Sequence, residues 1–185
     1  VLSEEPNLPF VFLFDEKHKD EICLKNNLLN AVQLLENTNV NIIGVESHSG
    51  GKQWDQYYKV YLDDEDFDER DDNVITNEWP NFAIELRENY ANCIYGVECK
   101  GMFEKMYCNL VVNDNEILDH PLNKERSKHF IKTLFELRRL YEKSGNLILN
   151  CGRDHNTHIV EMIRDNSITE ITGYQANYIR FNAFN

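Results

Sequence analysis

Four clusters of ionisable residues punctuate the chain, and each follows an apolar run. Asp15, Glu16 and His18 follow residues 9–14, and Glu46 and His48 follow residues 40–45. Glu98 follows residues 93–97, and Arg153, Asp154, His155 and His158 follow residues 147–150. Carboxylates and imidazoles gathered in one cleft are equipped for proton transfer. A carboxylate within hydrogen-bond reach of a water can act as its general base. A neutral imidazole can accept a proton or bind a metal. Gly152 permits a sharp turn that lifts residues 153–155, and a following helix places His155 near an N-terminus, where the dipole favours the neutral ring. The alternative is that Asp154 only caps that helix and His155 faces solvent.

These clusters need elements to position them. Residues 9–14 are continuously apolar, the pattern of a strand buried on both faces. Residues 21–36 place Ile22, Leu24, Leu28, Leu29, Val32 and Leu35 on one helical stripe, with Asp20 as the cap. Residues 40–45 form a second strand, so the first forty-odd residues predict a β-α-β unit with parallel strands and a right-handed crossover. Further on, the pattern predicts a helix over 82–89, a short third strand over 93–97 and a helix over 102–112. The strongest helical pattern spans 124–142, with Phe130, Leu134, Leu137 and Tyr141 on one face and Gly145 as its C-terminal signal. Residues 147–150 predict a fourth strand, followed by a helix to about Arg164. Residues 168–172 and 178–181 read as two last short strands. Residues 54–62 suit either a helix or an edge strand, and the acidic run 63–72 reads as an exposed loop or helix start. Residues 1–185 are therefore expected to form a single α/β domain, with a mainly parallel sheet and helices on both faces. In such a sheet ligands bind beyond the carboxyl ends of the strands, where all four clusters would fall.

Composition narrows the partners. The chain has 185 residues, 42% of them hydrophobic, and 19 basic residues against 32 acidic ones give a net charge of −13. Phosphate binding needs a basic face, so DNA and RNA are not expected partners. An anionic membrane surface is disfavoured on the same ground, and no segment approaches the roughly 20 apolar residues of a span. The opening VLSEEPNLPF lacks a basic region, so no signal peptide is expected. Cys23, Cys93, Cys99, Cys108 and Cys151 are odd in number and contain no CxxC pair. They read as reduced, buried structural thiols of a cytoplasmic protein.

Several chemistries lack their motifs: there is no GxSxG elbow, P-loop, GxGxxG or HExxH, and no structural zinc spacing. An ordered series of short motifs instead resembles the erythromycin esterase-like, ChaN-like and TraB-like superfamily. The strand ending in Asp15-Glu16-Lys17-His18 is similar to that group's first Gly-Glu-x-His block, with Asp15 in place of the usual Gly. Gly44-Val45-Glu46 and Tyr95-Gly96-Val97-Glu98 resemble its acids after later strands. Asn123 to Leu134, with Arg126 near its start, resembles its Arg-bearing helix, and Leu147 to His155 resembles its closing block. The resemblance implies an α/β core with a site built from Glu16, His18, Glu46, Arg126 and His155. Members of the group include ester hydrolases, metal-dependent peptidases and haem-binding proteins.

Together, the strand ends and the resemblance lead to the expectation of a hydrolase acting on an ester or peptide bond of a small-molecule or peptide substrate. Glu16 or Glu46 is expected as general base, and His18 and His155 as groups that orient water, stabilise an oxyanion or bind a divalent metal. Arg126 is expected to hold a carboxylate or neutralise charge. His48, Glu98, Arg153 and Asp154 are expected to bind ligand. His18, Glu46 and His155 are the candidate ligands should the metal be Zn²⁺ or Mn²⁺. The rival reading is a non-catalytic protein that binds a small ligand or haem in the same cleft, with His18, His48 or the Tyr57-Tyr58 pair offering an axial ligand. A structural alternative pairs Glu46 with Arg126 in a buried bridge.

Overall fold

Among the described residues, five strands running in one direction form the sheet, in the order β3-β2-β4-β1-β5. The computed structural model describes residues 8–17, 20–46, 80–99, 101–102, 105, 121–141 and 144–182. In chain order the elements are β1 (Phe10–Glu16), α1 (Glu21–Asn37), β2 (Val40–Val45), α2 (Asn81–Tyr90), β3 (Ile94–Gly96) and α3 (Pro121–Leu140). They continue with β4 (Asn146–Gly152), α4 (Arg153–Arg164), α5 (Ser167–Thr172) and β5 (Asn177–Phe181). β1 and β2 are parallel members of one sheet, as the β-α-β pattern requires, but they are not neighbours, because β4 inserts between them.

Alternation along the central strands separates two cores. Val11, Leu13, Leu147, Leu149 and Cys151 pack with α3, α4 and α5. Phe12, Phe14, Ile43, Val45 and Ile148 pack with α1 and α2. Side chains of successive strand residues leave opposite faces, so strands covered on both sides are apolar along most of their length. That is why 9–14, 40–45 and 147–150 are legible as largely apolar runs. On α1, the Asp20 carboxylate accepts from the N–H groups of Ile22 and Cys23, at 3.1 and 3.0 Å, as a side-chain cap does.

Two glycines set close approaches. A Cβ on Gly44 would stand 2.8 Å from Leu134 Cδ1 and 3.0 Å from Val97 Cγ1, so its absence lets α3 seat on β2. The sequence marks Gly145 as the C-terminal signal of α3. It instead lies where a Cβ would collide with the Asn39 carbonyl and the Asn41 side chain, and Asn146 N–H donates to that carbonyl at 2.6 Å. Among the described residues, Gly173, with φ of 78°, is the glycine whose left-handed backbone closes a helix.

That helix, α5, corrects the sequence reading of 168–172 as a strand. Its β-branched residues favour strands, yet local polar groups close a helical turn. Asp165 Oδ1 accepts from Ser167 N–H at 2.9 Å, and Thr169 Oγ1 donates to Asn166 Oδ1 at 2.9 Å. Ile168 and Ile171, three apart, then both meet the core. The elements expected over 47–79, most of the helix at 102–112, His18, His48 and Cys108 lie outside the described residues. Among the described residues no helix is long and apolar enough to cross a membrane.

Candidate functional site

All five strands run one way, so every strand end expected to carry chemistry reaches the same sheet edge. The register aligns them: Glu16 is paired with Gly152, and Val45 lies between Asn150 and Gly96. Backbone bonds continue past the strands, from Glu46 N–H to the Asn150 carbonyl at 3.1 Å and from Val97 N–H to the Val45 carbonyl at 2.9 Å.

α3 delivers the cation. Asn123, Arg126, Ser127, Phe130, Ile131 and Leu134 are buried residues of that helix, at the spacing of one helical face. The stripe is apolar from Phe130 onward and polar before it, so Asn123, Arg126 and Ser127 sit at the carboxyl edge above the core. Phe130 supports the layer from below. The Arg126 guanidinium carbon is 5.6 Å from its ring centre, and the His155 ring centre is 4.8 Å away.

Around this floor the side chains form one network. Arg126 Nη2 donates to Glu46 Oε1 at 2.8 Å, Arg126 Nε donates to Glu98 Oε1 at 2.5 Å, and Arg126 Nη1 donates to Asn123 Oδ1 at 3.3 Å. Gly152 N–H donates to Glu46 Oε2 at 2.9 Å. His155 Nε2 stands 3.7 Å from Glu46 Oε1. Side-chain exposure is 2% for Glu98, 5% for Arg126, 8% for His155 and 13% for Glu46. Burial pushes the Glu98 carboxyl above its usual range, against the opposing pull of Arg126. Burial also lowers the basicity of His155; Glu46 opposes this, while Arg126 and His158 reinforce it. The neutral ring expected at this helix start is therefore favoured first by desolvation.

Ser127 joins the network from beneath. Its Oγ donates to the Asn123 carbonyl at 2.7 Å and lies 2.8 Å from His155 Nδ1 and 3.2 Å from His158 Nδ1. The structure thus brings Glu46, Glu98, Arg126 and His155 together, from the ends of β2 and β3 and from α3 and α4. Glu16 stands half-buried at the end of β1, across from Gly152. Arg153 and Asp154 are exposed on the first turn of α4, whose N-cap is Gly152 with no side-chain cap. His155, by contrast, is buried, which disposes of the alternative in which it faces solvent.

Asp15 has a separate role. It is fully buried and takes Arg180 of β5 in a two-pronged pair, Nε to Oδ1 at 2.9 Å and Nη2 to Oδ2 at 2.9 Å. Asn156 of α4 donates to Asp15 Oδ1 at 3.0 Å and to the Phe14 carbonyl at 2.9 Å. The cysteines divide: Cys23 and Cys151 are buried, whereas Cys93 and Cys99 are half-exposed, a correction to the expectation that all would be buried.

A divalent metal fits the described residues poorly. No group of three or more His, Cys, Asp or Glu side chains among them is arranged to hold one. Arg126 already occupies the position between Glu46 and Glu98 that a cation would take. Sequence reading did not single out Ser127, Asn123 or Asn156. The signals available were the adjacency of Ser127 to Arg126 and the i, i+3 spacing of His155 and His158. No protein-family model, curated protein or solved structure matches the chain.

Proposed function

We propose that the chain is a hydrolase of ester or peptide bonds, a divergent relative of the erythromycin esterase-like group, in which His155 takes a proton from water beside Glu46. The observation that carries this reading is the 3.7 Å separation of His155 Nε2 and Glu46 Oε1. Both oxygens of Glu46 accept hydrogen bonds, from Arg126 and from Gly152 N–H, the bonding pattern of an ionised carboxylate. A neutral imidazole nitrogen beside that carboxylate is too distant for a direct hydrogen bond. The two acceptors instead offer one O–H group a choice of lone pairs. Proton transfer from water to Nε2 would create an imidazolium next to the Glu46 anion, which stabilises it. Arg126 acts as a positioning residue, since its guanidinium holds Glu46 charged and oriented. The same commitment to Glu46 and Glu98 leaves it poorly suited to clamp a substrate carboxylate. This reading moves the base from Glu16 or Glu46, where it was expected, to His155; the role expected for His18 at this edge, and the resemblance itself, belong to the same proposal.

The test is hydrolysis of a panel of activated esters and short peptides by the wild type, His155→Ala and Glu46→Gln, with circular dichroism to verify folding. His155→Ala is expected to lose about 10²–10⁴-fold in kcat/KM, the usual contribution of a general base, and Glu46→Gln is expected to lower kcat/KM by removing the charge that stabilises the imidazolium. A wild type with no turnover that nonetheless binds panel compounds, with binding lost in His155→Ala, would favour the non-catalytic reading.

A further inference from the structure

We propose that Ser127 is a positioning residue whose hydroxyl sets the tautomer of both His155 and His158, holding the ring proton on Nδ1 and leaving Nε2 bare. For His155 the inference rests on the hydrolytic reading and deepens it, because Nε2 is the atom assigned to the water.

The assignment follows from counting donors. Ser127 Oγ has three neighbours: the Asn123 carbonyl at 2.7 Å, His155 Nδ1 at 2.8 Å and His158 Nδ1 at 3.2 Å. A hydroxyl carries one proton and two acceptor lone pairs. A carbonyl oxygen can only accept, so the shortest contact requires the hydroxyl proton. The two remaining contacts must then be Nδ1–H groups donating to Oγ. Every other arrangement sets two acceptors against each other. If the hydroxyl turned to either imidazole, Oγ and the Asn123 carbonyl would face each other at 2.7 Å with no proton between them, a costly state where Ser127 is fully buried.

The backbone makes this hub durable. Serine bonding back to the carbonyl four residues earlier is a local helical pattern, so the orientation of Oγ is fixed within α3 itself. His155 and His158 are three residues apart on α4 and present their rings to the same side. One hydroxyl on α3 therefore reads two imidazoles on α4 at once. In a neutral histidine the protonated nitrogen determines which nitrogen is basic. With Nδ1–H committed to Ser127, the basic nitrogen of His155 is the one 3.7 Å from Glu46 Oε1.

The test is a long-range ¹H–¹⁵N correlation spectrum of the ¹⁵N-histidine-labelled protein, recorded well above the ordinary imidazole pKa of about 6.5. His155→Gln and His158→Gln assign the signals. Both rings are expected to show a protonated Nδ1 and a pyridine-type Nε2. Ser127→Ala should move both toward the Nε2–H form, and Ser127→Thr, which keeps a hydroxyl, should restore the wild-type pattern. A proton on Nε2 of His155 in the wild type would overturn the proposal, as would unchanged tautomers in a folded Ser127→Ala. Should Ser127→Ala fail to fold, the wild-type spectrum still decides, because it reads the protonated nitrogen directly. The readout is independent of turnover. Absent hydrolysis with the Nδ1–H pattern intact would count against the hydrolytic reading alone, and an Nε2–H pattern in an active protein would count against this inference alone.

Discussion

Arg126 Nε lies 2.5 Å from Glu98 Oε1, and both side chains are almost wholly withdrawn from solvent. A buried pair of this kind is weak evidence of net stabilisation, because desolvation offsets attraction, but losing one partner strands a charge. Arg126→Met should therefore cost about 3–5 kcal/mol of stability. Adding Glu98→Gln should recover part of that loss by removing one stranded carboxylate. Urea melts at neutral pH of the two single variants and the double variant check this. Strictly additive losses would show that the two side chains are not coupled.

The seat of α3 depends on Gly44. Gly44→Ala would push a methyl group to 2.8 Å from Leu134 Cδ1 and 3.0 Å from Val97 Cγ1. Overpacking a core in this way typically costs about 1–3 kcal/mol. Because α3 carries Arg126 and Ser127, the same variant should also lower the hydrolysis proposed above without touching a site residue. Leu134→Val in the Gly44→Ala background should relieve part of the stability loss, measured by thermal melts.

Stability should fall on mild acidification through His155. Its folded pKa lies below the ordinary 6.5, with burial as the main cause. As pH drops below that value, the unfolded ring takes a proton that the buried ring refuses. The unfolded state then binds more protons, so unfolding free energy decreases until pH reaches the lowered folded value, and it is regained as pH rises back to 6.5. His129 is also shifted down by burial and contributes in the same sense. The difference between wild type and His155→Gln isolates the first ring. Denaturant melts across this range should show a shallower pH slope in the variant, and an equal slope would contradict the assignment.

The edge strand is tied in by charge. Arg180 of β5 grips Asp15 of β1 with two nitrogens, and Asp15 is fully buried. Arg180→Ala should cost about 3–5 kcal/mol, since it leaves that carboxylate buried without its cation. Arg180→Lys should recover only part, because an ammonium cannot reproduce the two-pronged geometry. Chemical denaturation of both variants checks the ranking. Hydrogen exchange at β5 should rise more than at β4 in Arg180→Ala.

The elements were legible where local physics decides them. Mostly apolar runs marked β1, β2 and β4 because strands covered on both faces are near-continuously hydrophobic. The Asp20 cap, the apolar stripe of α3 and the start of α4 after Gly152 are likewise written in short-range spacing. From these followed an α/β fold with a parallel sheet and acids gathered at one edge. Sequence spacing does not decide which strands become neighbours, and so β4 between β1 and β2 could not be read from the chain. Ile168 to Thr172 looked like a strand because β-branched residues dominate it, and only its polar flanks and core contacts made it helical. The site shows the same division. Glu46, Glu98, Arg126 and His155 were recognisable as residue types at strand ends and on a helix. Their pairing, with Arg126 committed to two carboxylates and His155 held by Ser127, joins residues 28 to 80 positions apart. Long-range contacts of this kind arise only when packing brings α3 and α4 together over the sheet. The lowered basicity of His155 and the raised pKa of Glu98 follow in turn from the burial that this packing imposes.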